Sequence, residues 1–156
     1  MVDTAELRAG LAEARPYLLS HHPVGERDRC YSPALRGREV HLCARCTGIY
    51  PGIVAGLVAF GYGPAPATSF WLVTLLPFGA LLEWAVTTFT TRRGYNVVRT
   101  GTGLALGFAY GLGLGRSFVG GDLAVLAVGV GYGVAAVGLL TVAPWDRRSG
   151  QGISGT

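Results

Sequence analysis

From Thr47 onward, apolar residues in this chain neither alternate nor return only every third or fourth position; they run together in long stretches. Four runs stand out: Thr47 to Tyr62, Ser69 to Thr91, Thr100 to Val119 and Leu123 to Ala143. A helix that crosses a bilayer needs about 20 mostly apolar residues, because each residue rises only about 1.5 Å through the hydrocarbon. The first run is short and closes at Gly61-Tyr62-Gly63-Pro64. The second contains Pro77 and Glu83, and the third carries Arg116 near its end. The fourth has no charge and stops at Pro144-Trp145-Asp146, where Trp145 holds the place of an interfacial aromatic. This pattern predicts an all-α fold: a polytopic membrane protein with four transmembrane helices spanning residues 47–143.

The flanking segments read differently. Residues 3–15 predict a short helix, with Asp3 and Glu6 as a capping box, Leu7, Leu11 and Ala14 at helical spacing, and Pro16 as its end. Residues 17–46 hold all three His, all three Cys and five of the thirteen Arg, and predict a loop-rich cytoplasmic segment. Residues 1–46 thus form an N-terminal helix and Cys/His-rich unit, and residues 144–156 a polar cytoplasmic tail. No secretory signal is visible, since the first twenty residues carry charge throughout.

Composition changes the picture in two ways. Half of the residues are hydrophobic and 14% are charged, too little charge to cover a soluble domain of this size. The 25 glycines have no three-residue period and sit inside apolar runs, which excludes collagen and disorder. Several recur every fourth residue: Gly48, Gly52 and Gly56; Gly103, Gly107, Gly111 and Gly115; Gly129 and Gly133. Small-xxx-small faces let helices touch. They predict packing within one bundle or, as the alternative, a homo-oligomer interface.

The net charge of +4 comes entirely from Arg, distributed between the apolar runs. Residues 1–46 carry seven Arg, the next connection none, the following one Arg92, Arg93 and Arg99; Arg116 and Asp122 then cancel, and the tail has Arg147 and Arg148. Basic and neutral connections alternate, so the positive-inside rule puts both termini in the cytoplasm. No pooled basic face for nucleic acid is present; the expected partner is the lipid bilayer.

Candidate chemistry concentrates in two places. Cys43-Ala44-Arg45-Cys46 is a C-x-x-C loop, in which two thiolates converge on one metal ion. Cys30 and one of His21, His22 or His41 would complete a tetrahedral set. Zinc is the default for mixed sulfur and nitrogen ligands, with iron as the alternative. A redox dithiol and unliganded buried thiols are the competing readings. The second place is Glu83, an acid inside a span, which topology brings to the same end as Asn96 and Arg99. An intramembrane carboxylate is either an ion-pair member, with Arg99 or Arg93, or a functional group. Arg116 is expected to snorkel to the interface, and Asp122 to cap the fourth helix.

At these residues the chain resembles a known family. His22-Pro23-Val24-Gly25-Glu26-Arg27, then Cys43-Ala44-Arg45-Cys46-Thr47-Gly48-Ile49-Tyr50-Pro51-Gly52, and later Asn96, Arg99, Thr102 and Gly103 are similar to motifs of the domain-of-unknown-function 2085 family of small prokaryotic membrane proteins. The similarity covers about residues 18–115. It departs at His21, where the family has Cys, and Cys30 is an additional thiol. The resemblance implies a multi-pass protein of a prokaryotic plasma membrane and brings no activity with it. The function expected is therefore a membrane protein with a zinc site at the cytoplasmic interface, its favoured ligands Cys43, Cys46, Cys30 and His22. The alternatives are an enzyme using the metal or dithiol with Glu83 and Arg99 on a lipid or anionic substrate, and an oligomeric transporter of a small solute or ion.

Overall fold

The computed structural model describes residues 22, 24–35, 37–90 and 94–143, together with 6, 8 and 10. Glu6, Arg8 and Gly10 are helical and exposed; the remainder of the expected N-terminal helix, His21, Arg92, Arg93 and the tail from Pro144 lie outside the described residues.

The fold is mostly helical. Helices α1 (Ala44–Tyr62), α2 (Phe70–Phe89), α3 (Asn96–Phe118) and α4 (Leu123–Val142) correspond to the four apolar runs. Two of them begin earlier than hydropathy suggests. Helix α1 starts at Ala44, so Arg45 and Cys46 belong to its first turn, and α3 starts at Asn96, one turn before the apolar run. The reason is that the polar residues of these first turns are matched inside the fold, so they do not need to lie in a loop.

Helices α1 and α3 are parallel and packed backbone to backbone. A Cβ at Gly48, Gly52 or Gly56 would meet main-chain atoms of Thr100, Leu104 and Phe108 respectively. Reciprocally, a Cβ at Gly103, Gly107 or Gly111 would strike the carbonyl oxygens of Arg45, Ile49 and Ile53. Each contact would be closer than 3.0 Å, a separation side-chain carbons do not adopt. The four-residue glycine spacing on both helices is therefore consumed inside the chain. Gly129 and Gly133 of α4, in contrast, have nothing within 4 Å.

Helix α2 runs antiparallel to α3: Glu83, late in α2, faces Arg99 early in α3, and Val73, early in α2, packs with Leu112. Val73, Leu112 and Val125 form a small apolar cluster with Phe60, Phe70, Leu72 and Phe108 around it. Helix α4 is the outermost; Val125 is its only buried residue, and Tyr132 donates its hydroxyl to the Thr74 carbonyl of α2 at 2.5 Å. Its Leu123, Leu126, Val130, Val134, Val137 and Leu140 are all exposed. Apolar surface of that extent is untenable in water and ordinary against lipid.

Among the described residues, three helices, α1, α2 and α4, are long and apolar enough to cross a membrane. Helix α3 is not among them, because its glycines, Asn96, Arg99, Thr100 and Thr102 lower its hydropathy.

The segment before α1 is not an irregular loop. After a 3-10 turn at Val24–Arg29, strands β1 (Cys30–Tyr31), β2 (Ala34–Leu35), β3 (Arg38–Glu39) and β4 (Leu42–Cys43) pair β1 with β4 and β2 with β3, antiparallel. All these pairs share one register, so residues 30–43 are a single hairpin. Pro33 interrupts the ladder because it has no N–H to give, although its carbonyl still accepts from the Val40 N–H at 3.1 Å. The tip carries Gly37 at φ 76°, in the left-handed region that glycine adopts without strain.

The opposite end of the bundle is latched by Arg116. Its guanidinium bonds the Asp122 carboxylate at 2.6 and 3.0 Å, donates to the Thr68 carbonyl at 2.9 Å and lies over the Phe70 ring. Arg116 thus has partners within the fold and joins the α3–α4 turn to the α1–α2 connection. Asp122 caps α4 as expected, accepting from the Ala124 N–H. The hydrogen bond from Arg116 holds the Asp122 carboxyl below its ordinary value. A carboxyl lowered in the folded state stabilises the fold above its ordinary value of 3.8, and that stabilisation is lost as pH falls through the lowered value. Wild-type protein in detergent is therefore expected to lose thermal stability on acidification below about pH 4 more steeply than Asp122→Asn, measured as the two unfolding midpoints across pH.

Candidate metal centre and buried charge cluster

The end of the bundle where α1 and α3 begin and α2 finishes collects the reactive side chains. Cys43 is the N-cap residue of α1 and also the last residue of β4, so the hairpin feeds directly into the helix. Its partner across the hairpin is Cys30. Both are buried, Cys43 to 2% exposure. Cys46 lies three residues on, in the first turn of α1, and is partly exposed. His22 reaches the same place, with Nε2 3.4 Å from Cys43 Sγ. The three cysteines form no disulfide. The favoured donors His22, Cys30, Cys43 and Cys46 are thus gathered around Cys43.

His41, one of the alternative ligands, is engaged elsewhere, with its Nδ1 hydrogen-bonded to Ser32 Oγ across the hairpin at 2.7 Å. His21 lies outside the described residues. Among the described residues, no three His, Cys, Asp or Glu side chains stand in an arrangement that encloses a metal ion. The donors are neighbours rather than a preformed cage.

The hairpin is docked onto α3 by polar contacts. Asn96 donates its side-chain amide to the Cys30 carbonyl at 3.2 Å, and Tyr31 Oη lies 3.0 Å from Thr100 Oγ1. Thr100 in turn donates toward the Ala44 carbonyl at the start of α1. Three elements are therefore tied at one point: hairpin, α1 and α3.

Beneath this knot lies a buried charge cluster. Glu83 of α2, its side chain 9% exposed, pairs through Oε2 with Arg45 of α1 and through Oε1, at 3.7 Å, with Arg99 of α3. Arg99 is buried and also donates to Asn96 Oδ1 at 3.2 Å. Asn96 therefore connects the charge cluster to the cysteine strand. Of the residues expected here, Glu83, Asn96 and Arg99 are brought together as topology suggests. The partner that sequence reasoning misses is Arg45, whose position between two cysteines suggests a role toward the thiols. Its place at the start of α1, on the end to which Glu83 belongs, is the signal that could have found it.

Gly94, in the α2–α3 connection, closes the cluster from above. A Cβ there would come 3.1 Å from Glu83 Oε1, 3.2 Å from an Arg99 Nη and 2.9 Å from the Thr87 methyl. Among the described residues, buried Arg45 Nε and Glu83 Oε1 have no hydrogen-bond partner.

Comparison with family models matches the chain to a family described as "Predicted membrane protein (DUF2085)" over residues 26–112. The matched stretch contains the hairpin, the C-x-x-C turn, Glu83, Asn96 and Arg99; His22 precedes it. No curated protein and no solved structure matches the chain.

Proposed function

For this chain, which belongs to the DUF2085 family of predicted membrane proteins, we propose a four-span plasma-membrane protein that binds one zinc ion at its cytoplasmic interface. The ion ties the hairpin and the segment before it to the bundle. The observation that carries the reading is the approach of His22 Nε2 to Cys43 Sγ, beside Cys30 across the hairpin and Cys46 one turn on. Three sulfurs and one nitrogen are the donor set of a closed, structural zinc site. Because the donors do not enclose an ion by themselves, binding has to draw them together, as it does wherever metal uptake is coupled to local folding.

The fourth span rests on packing rather than hydropathy. Helix α3 lies parallel to α1 with its backbone against it from Arg45–Gly103 to Gly56–Phe108, and the Phe60 side chain covers Gly115 beyond. If α1 crosses the bilayer, α3 shares its depth. The residues that lower its hydropathy are those the neighbouring helices cover: Arg99, Gly103, Gly107 and Gly111 are buried. Its flanking Tyr95 and Phe118 are exposed, as interfacial aromatics are. The end carrying Arg27, Arg29, Arg45 and Arg99 faces the cytoplasm by the positive-inside rule, since Arg116 at the other end is neutralised by Asp122. Glu83, held by two guanidinium groups, serves as a fixed charge in this reading, not as a carrier of protons or solutes.

Elemental analysis of detergent-purified, tag-free protein tests the metal. The expected result is about one zinc per chain, lost in Cys43→Ser. Wild-type protein without metal and with three titratable thiols would refute the reading.

A further inference from the structure

The register of the hairpin is the same at both ends: Cys30 is opposite Cys43, Tyr31 opposite Leu42, Ala34 opposite Glu39 and Leu35 opposite Arg38. Pro33 is therefore opposite Val40, whose N–H donates to the Pro33 carbonyl. Opposed residues of an antiparallel pair alternate between hydrogen-bonded and non-hydrogen-bonded rungs. Pro33–Val40 is a hydrogen-bonded rung, which makes Ser32–His41 and Cys30–Cys43 non-hydrogen-bonded rungs on one face of the hairpin. The 2.7 Å contact between Ser32 Oγ and His41 Nδ1 agrees with that assignment.

Non-hydrogen-bonded rungs bring side chains closest, with Cα atoms about 4.5 Å apart. A disulfide spans Cα separations of about 4.4–6.8 Å and Cβ separations of about 3.5–4.5 Å. The Cys30–Cys43 rung is thus within its reach without rearranging the ladder. Cys43 and Cys46, at the start of α1, are a poorer pair, because helix neighbours at that spacing keep their Cβ atoms about 5–6 Å apart. Cys30 and Cys43 are buried, whereas Cys46 is partly exposed. Cys43 is common to both pairings.

We propose that the three cysteines form a thiol–disulfide relay that is oxidised at Cys46 and ends as a Cys30–Cys43 disulfide. The oxidant is a low-molecular-weight disulfide. The Cys46 sulfur attacks it, forming a mixed disulfide and expelling one small thiol, which takes up the proton that Cys46 loses. The Cys43 sulfur then attacks that of Cys46 and expels the second small thiol in the same way. Cys30 finally attacks Cys43 across the rung, and Cys46 leaves as a thiol with the proton from Cys30. Two protein thiols are oxidised and one small disulfide is reduced to two thiols. The last exchange runs toward Cys30–Cys43 because the disulfide with the poorer geometry is the more easily reduced. In the product, β1 is bonded to the N-cap of α1. Since Asn96 of α3 holds the Cys30 carbonyl, oxidation locks hairpin, α1 and α3 together. The relay belongs to the metal-free chain and is independent of the zinc reading.

The test uses full-length reduced protein in detergent, with a chelator present and glutathione disulfide as the oxidant. Wild type should fall from three titratable thiols to one. Peptide mapping after alkylation should then find Cys46 alkylated and Cys30 linked to Cys43. Cys46→Ser, deprived of the entry thiol, should keep both of its thiols over the same time, with circular dichroism confirming that it folds. The wild-type mapping needs no variant and decides by itself should Cys46→Ser not fold. Three thiols remaining in wild type, any end product other than the Cys30–Cys43 link, or closure of folded Cys46→Ser at the wild-type rate overturns the proposal. Because metal is excluded throughout, failure here leaves the zinc reading standing, and purified protein without zinc leaves the relay standing.

Discussion

Gly107→Val is expected to abolish the native bundle. Gly107 faces the Ile49 carbonyl with no room for a Cβ, and a β-branched side chain would force α1 and α3 apart along their whole parallel contact. Overpacking by a single methyl in a tight interior costs about 1–3 kcal/mol, so Gly107→Ala should already lower stability by about that amount. Valine adds two further methyls against main chain that cannot move aside. Backbone contact between small residues is also the main attraction available to helices in lipid, where apolar side chains gain nothing by leaving one hydrocarbon for another. The control lies within the same molecule. Gly129→Ala meets nothing within 4 Å, and should be neutral or slightly stabilising because alanine restricts the unfolded chain. Unfolding titrations with a denaturing detergent, followed by circular dichroism, compare the three variants; equal effects at Gly107 and Gly129 would contradict the packing described.

Arg99→Ala should be the most damaging substitution at the opposite chemical extreme. It removes a buried guanidinium from Glu83 and from Asn96 at once. Breaking a buried pair by deleting one partner costs about 3–5 kcal/mol, most of it the penalty of the charge left behind. Here Arg45 remains to hold Glu83, so the loss should fall toward the lower figure. The hairpin should loosen too, because Asn96 positions the Cys30 carbonyl. In the double variant Arg99→Ala with Glu83→Gln the Glu83–Arg99 pair is lost once rather than counted twice, so it should be less damaged than the sum of the two single ones. Strict additivity would mean that the two residues are not coupled. Gly94→Ala should resemble a mild version, since its Cβ presses on both groups.

The four helices are legible in the sequence because each coincides with a long apolar run. The first turns of α1 and α3 are not, since Arg45, Asn96 and Arg99 look like loop residues until their partners are known. The hairpin at residues 30–43 escapes because its paired strands are two residues long and Pro33 breaks the alternation that marks a strand; Gly37 at its tip is the one conformational clue. The glycine spacing reveals that helices touch, not which ones: three glycines on α1 fit three on α3, while those of α4 face open space. Arg116 looks free to snorkel because its acceptors, Asp122 and the Thr68 carbonyl, become neighbours only through two turns. At the candidate site, Cys43 and Cys46 declare themselves by spacing. Cys30 and His22 follow from composition alone, and the register Cys30–Cys43 and the His22 contact are what join them.

The proposed site depends on the thiols and the buried charges lying at one cytoplasmic face, which requires that α3 cross the membrane with α1. Labelling intact cells with a membrane-impermeant maleimide tests that directly, using Val119→Cys in the exposed turn after α3 and Glu39→Cys in the hairpin. The native cysteines lie on the hairpin's side and give the background. The account predicts that Val119→Cys labels from outside and that Glu39→Cys labels only after lysis. Labelling of both positions from the same side would mean that α3 does not cross, and would contradict the arrangement on which the site is built.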